Sequence, residues 1–183
     1  MEQLTSEGYV EKRSGIGTIV LDNAAVITMS TGQSFTNHLM KEGKTLVKNV
    51  LSLSTNQVPP AFMQIDSTNP SFTRIERIYY LDKQPYIHMT HYIPSHIVVP
   101  TDPVLYETSL YDVLNQMGIQ FDRFSDEFQV ATPPVNVSTE LQIEQVPLLL
   151  RSRYAYDTDG SLIEYSIAYY ETNMHSYVIN FNV

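Results

Sequence analysis

The chain has 183 residues, 43% hydrophobic and 17% charged, and its eleven Lys and Arg against twenty Asp and Glu give a formal net charge of -9. A single domain with its own core is the expectation at this length, which excludes a multi-domain enzyme. The absence of Cys removes disulfides, thiolate metal sites and a cysteine nucleophile, and the acidic balance argues against nucleic-acid binding by bulk charge.

The opening residues, MEQLTSEGYVEKR, lack the apolar run of a signal peptide, and no stretch approaches the ~20 apolar residues of a membrane span, so a cytoplasmic protein is expected. Residues 34–42 place Phe35, Leu39 and Met40 on one helical face, with Ser34 at the N-cap and Gly43 as a stop. Residues 45–53 and 72–81 read as strands, and Asp82, Lys83 and Gln84 join the second to a strand at 86–93 in an antiparallel hairpin that Pro94 ends. Thr108 or Ser109 caps a helix running to Gly118, in which Leu110, Val113, Leu114 and Met117 recur at helical spacing. Strands follow at 121–131, 147–156 and 161–170, the last two joined by the turn Asp157, Thr158, Asp159, Gly160, and SYVINF reads as a closing strand. The sum is an α+β fold: a mostly antiparallel sheet of about six strands with flanking helices.

Three segments carry a resemblance. RIERIYYLDKQPYIHMTHYIP resembles the R-x-R-x-x-x-G-x-P-x-x-x-E-x-x-Y-x-P hairpin of the UTRA domain, the effector-binding half of GntR-type transcription regulators of the HutC subfamily. TSLYDVLNQMGI resembles the S-L-Y helix of that domain, and PLLLRSRYAYDTDGSLIEYSIAYY its P-L-L-x-x-x-R-x-x-Y-x-x-D-G-x-P-x-E-Y-x-x-x-Y-Y signature. LTSEGYVEKRSGIGTIV is similar to the end of the GntR winged helix and its β-wing, with Lys12 and Arg13 facing DNA and Gly15 and Gly17 at the tip. The division implied is a wing remnant and linker over 1–22 and a UTRA effector-binding and dimerisation domain over 23–183, with a chorismate-lyase-like fold. The helix-turn-helix itself has no counterpart here, so DNA is a partner only of a full-length parent.

The resemblance implies a small-molecule effector, a sugar phosphate or another small polar or acidic metabolite, bound between the sheet and the first helix of a homodimer. It implies no cofactor and no metal. Ser34, Phe35 and Thr36 match the T-S-F segment, whose first-turn N–H groups suit an anion. Arg77 matches the first hairpin Arg and offers a bidentate fork, and Arg153 matches a second Arg. Met89, Tyr92 and Ser109 fall on pattern positions; Glu164 and Tyr170 fit the E-Y-x-x-x-Y-Y run and, an even number apart, share a strand face. Three departures stand out: Tyr79 replaces the second Arg, Met89 the Glu, and Glu171 an Arg after the paired tyrosines, which points to a ligand less anionic than a sugar phosphate.

Other signals are weaker. His88 and His91 are three apart and face opposite sides of a strand, which rules out a shared metal. Asp157–Gly160 lacks the later ligands of a calcium loop, and no nucleophile elbow, P-loop or dinucleotide fingerprint occurs. Two competing functions remain open: a small-molecule enzyme similar to chorismate lyase, and a truncated partner that sequesters full-length subunits.

Overall fold

Period-two alternation of apolar and polar residues gives each long strand two distinct faces, and the tertiary structure stacks those faces into one sheet with two covered sides. The structure, a computed structural model, describes residues 10–13, 17–20, 39, 42–58 and 71–178. Strand β1 (Val10–Arg13) pairs antiparallel with β2 (Gly17–Val20) as a separate two-stranded ribbon. The main sheet contains β3 (Leu46–Gln57), β4 (Phe72–Leu81), β5 (Gln84–Pro94), β6 (Arg123–Ala131), β7 (Leu148–Tyr156) and β8 (Leu162–Tyr170). Its spatial order is β3-β4-β5-β8-β7-β6, antiparallel throughout. This is the expected α+β architecture.

The helix α1 (Leu110–Gln116) starts where Ser109 accepts the Asp112 N–H and ends at Gly118, which holds φ +85. Leu110 and Leu114 seal it, with the preceding 3-10 turn Pro103–Glu107, onto Ile75, Ile93 and Ile163. Leu39 is helical and fully buried against Leu81, Tyr86 and Ile87, and Gly43 closes that turn at φ +75 as Lys44 N–H reaches the Leu39 carbonyl. The opposite face is covered by a helix that the sequence pattern missed, α2 (Val135–Leu141), whose Val137 and Leu141 pack on Ile78 and Leu148.

SYVINF needs correction as a strand. Ser176–Val178 join no ladder, and the remainder lies outside the described residues. Tyr177 instead turns toward the sheet and ring-packs against Tyr170 with centroids 5.0 Å apart. His175 ties this segment down through Glu42 Oε2, 2.7 Å from its Nε2.

Candidate functional site

Cross-strand pairing sets side chains in rows, and three rows underlie a cavity of about 60 Å³ on the α1 side of the sheet, room for more than the ~10–15 Å³ of a single water. The first row is Lys48, Tyr79, Ile87 and Tyr170; the second is Arg77, Met89, Ala168 and Arg151; the third is His91, Ser166 and Arg153. Ser109, Leu110 and Tyr111 of α1 and Tyr177 wall the space.

Beneath the lining runs a buried polar chain. Arg77 Nη2 lies 2.6 Å and Nε 3.1 Å from His91 Nε2. Since a guanidinium only donates, Nε2 must accept, and the ring hydrogen sits on Nδ1, which donates to Glu164 Oε1 at 2.6 Å. Tyr111 OH donates to the other Glu164 oxygen at 3.2 Å, which pins α1 to β8. Arg77 Nη1 donates to the carbonyls of Tyr106 and Thr108 at 2.9 and 3.2 Å, fixing the backbone that leads into α1. Burial, helped by the Arg77 charge, pulls His91 down to about 4, so the ring is neutral at pH 7.

Of the residues singled out from sequence, Arg77, Met89, Ser109, Arg153 and Tyr170 line the cavity. The two arginines among them spend their guanidinium groups on the protein itself. Arg77 holds the chain just described, and Arg153 grips Asp126 bidentately, Nε to Oδ1 and Nη2 to Oδ2, both at 2.6 Å. Glu164 shares their face, but it is fully buried with both oxygens occupied. Tyr92 as a pocket residue needs correction: three positions from Met89, it points from the far face and packs with Phe72 and Tyr165. His88 and His91 are likewise split between the faces, His88 Nε2 lying 3.2 Å from far-face Glu76. Ser34, Phe35, Thr36 and Gly15 lie outside the described residues, Lys12 and Arg13 fall on β1, and Gly17 opens β2.

Sequence reading missed Lys48, Tyr111, Arg151 and Tyr177. Strand arithmetic from Arg153 would have found Arg151, two residues earlier on the same face. Lys48 carried no such signal, because only the β3–β4 register brings it beside Tyr79. Its Nζ lies 5.5 Å from the Tyr79 ring centre, and burial with repulsion from Arg77 lowers its pKa to about 8. Arg151 Nη1 donates to Tyr177 OH at 3.1 Å, while its buried Nε finds no acceptor among the described residues. Of the three departures, Tyr79 and Met89 line the cavity; the Glu171 carboxylate instead accepts the Asn173 N–H at 2.9 Å.

The family model of the UTRA domain matches residues 41–176. The chain belongs to the UTRA domain family. This UTRA domain is 22% identical over 182 residues to the HTH-type transcriptional regulator GgaR of Escherichia coli K12, covering 97% of this chain and 72% of that protein. Among solved structures it is similar to PhnF from Mycobacterium smegmatis, with TM-score 0.70 and 20% identity over 100% of this chain and 82% of that one. It is also similar to the ligand-binding domain of a putative GntR-family regulator from Bordetella bronchiseptica, with TM-score 0.65 and 16% identity over 75% and 91% of the two chains. The UTRA domain is the effector-binding module of GntR-family transcriptional regulators, and the six-stranded sheet seen here is its fold.

Proposed function

We propose that the cavity over β4, β5, β8 and β7 is the effector site, that it takes a small anion, and that occupancy changes DNA binding by a parent regulator. The observation that carries this reading is the charge balance of the site. Lys48, Arg77, Arg151 and Arg153 all line it, whereas Glu164 and Asp126 each answer one of the arginines. That surplus favours an anion and weighs against the sequence expectation of a less anionic ligand.

Binding rather than turnover is the better reading, because His91 has its Nε2 committed to Arg77 and its Nδ1 to Glu164 and so offers no lone pair to a substrate. The ribbon β1–β2 fits the wing of a winged helix, with Lys12 and Arg13 on its first strand. In a parent carrying the recognition helix, an effector that prefers one arrangement of two such wings would shift affinity for paired half-sites. Two copies would pair along β6, an edge strand whose nine residues hold unbroken register with β7 and whose Val130 is 76% exposed.

A thermal-shift screen of the chain against phosphorylated sugars, amino acids and aromatic acids tests the effector reading. The expected result is a raised midpoint with at least one anion, lost in Arg151→Ala. Turnover of a chorismate-like ester with no shift from any compound would overturn it.

A further inference from the structure

The four cations of the cavity fall into two kinds. Arg77 is answered by Glu164 through His91, and Arg153 by Asp126. Lys48 and Arg151 have no carboxylate among the described residues within ion-pair distance: Asp112 and Asp126 act on them only from farther off, so each half-buried head is left without a direct counter-charge that an anion could supply. These two come from opposite sides of the cavity, Lys48 from β3 and Arg151 from β7, with β4, β5 and β8 between them.

Their heads lean inward over aromatic rings. Lys48 Nζ lies 5.5 Å from the ring centre of Tyr79, and Arg151 Cζ lies 5.6 Å from that of Tyr170. Tyr79 and Tyr170 are the two cross-strand partners of Ile87, one on each side of it. Two strand spacings therefore separate those tyrosines, roughly 10 Å. The row next to Ile87 has Met89 and Ala168 at its middle, flanked by Arg77 and Arg151, so the ground at the centre of the cavity floor is apolar. A single compact anion placed at one head leaves the other unanswered.

We propose that the effector is an elongated molecule with an acidic group at each end, one met by Lys48 and the other by Arg151, and an apolar spacer lying over Ile87 and Met89. A linear dicarboxylate has this chemistry. The proposal rests on the reading of the cavity as an effector site.

Calorimetric titration of the full chain with α,ω-dicarboxylates from succinate to pimelate, the matching monocarboxylates and inorganic phosphate tests it. The expected result is an affinity that peaks at one chain length and there exceeds the monocarboxylate by at least about tenfold, the gain of a second linked contact. Lys48→Gln and Arg151→Gln should each bring the best dicarboxylate down to the level of its monocarboxylate. Phosphate or a monocarboxylate binding as tightly as every diacid would overturn the two-ended ligand while leaving the effector site standing. If no diacid, monoacid, phosphate or compound of the thermal-shift screen binds the folded chain, both fall. The wild-type length series decides between these outcomes even where a variant fails to fold.

Discussion

His91 shows how much one buried residue is decided by its neighbours. Its ring is clamped between a permanent cation and a carboxylate, and both contacts require the neutral Nδ1–H form. Its folded pKa of about 4 lies below the ordinary 6.5, so below pH 6.5 the unfolded chain takes up a proton that the folded chain refuses. The stability this protects is full above pH 6.5 and is lost as pH falls toward 4. Urea unfolding should therefore show a decline of up to roughly 3 kcal/mol across that window, and His91→Gln should flatten it. An unchanged slope in the variant would rule out His91 as the source. Glu76, which His88 and Arg74 hold down to about 2, titrates in a lower window, from about 4.5 downward, and leaves the two limbs separable. The sequence displayed His88 and His91 on opposite strand faces; it did not display that Arg77 and Glu164 come from two other strands to meet His91.

Among the elements, the β4–β5 hairpin was the most legible. Leu81 pairs with Gln84, so the loop is the two residues Asp82 and Lys83, with φ of +48 and +72. Both central residues of this tight turn are left-handed, which suits the twist of the flanking strands but strains a lysine. Asp82 is held by Thr45, whose N–H donates to Asp82 Oδ1 at 2.9 Å, whereas Lys83 has nothing comparable among the described contacts. Lys83→Gly should raise the unfolding free energy by about 0.5–1 kcal/mol, measured by urea denaturation; a loss of stability would show that the turn tolerates Lys without strain. The helix Val135–Leu141 was illegible for a physical reason. Its start has Pro134 and no side-chain cap, and its β-branched residues are weak helix formers. It forms because Val137 and Leu141 find Ile78 and Leu148 beneath them.

At the scale of the whole molecule, the two edges of the sheet differ. The register of β3 slips after Val50 and again after Ser54, which bends that edge and blunts it as a template. β6 has no such slip, and with Val130 exposed it is the edge on which the proposed dimer depends. Val130→Lys should shift the chain toward monomer in analytical ultracentrifugation while leaving its melting profile two-state. A dimer unaffected by the charge would place the interface elsewhere.

What the sequence determined by itself was local and periodic: the six strands of the main sheet, the hairpin turns, the capped helix α1, the α+β class and the family. The elements and the class follow from backbone preferences and from the spacing at which apolar residues recur, both readable within a window of a dozen residues, and the family from the resemblance of three motif segments. The tertiary structure alone decided the site. Which arginines are occupied and which are not depends on Asp126 lying opposite Arg153, on Glu164 reaching His91, and on Lys48 and Arg151 arriving from strands on either side of the cavity. Charge compensation acts over a few ångströms of space, and strand pairing joins residues as far apart in sequence as His91 and Ser166, so no local window contains it.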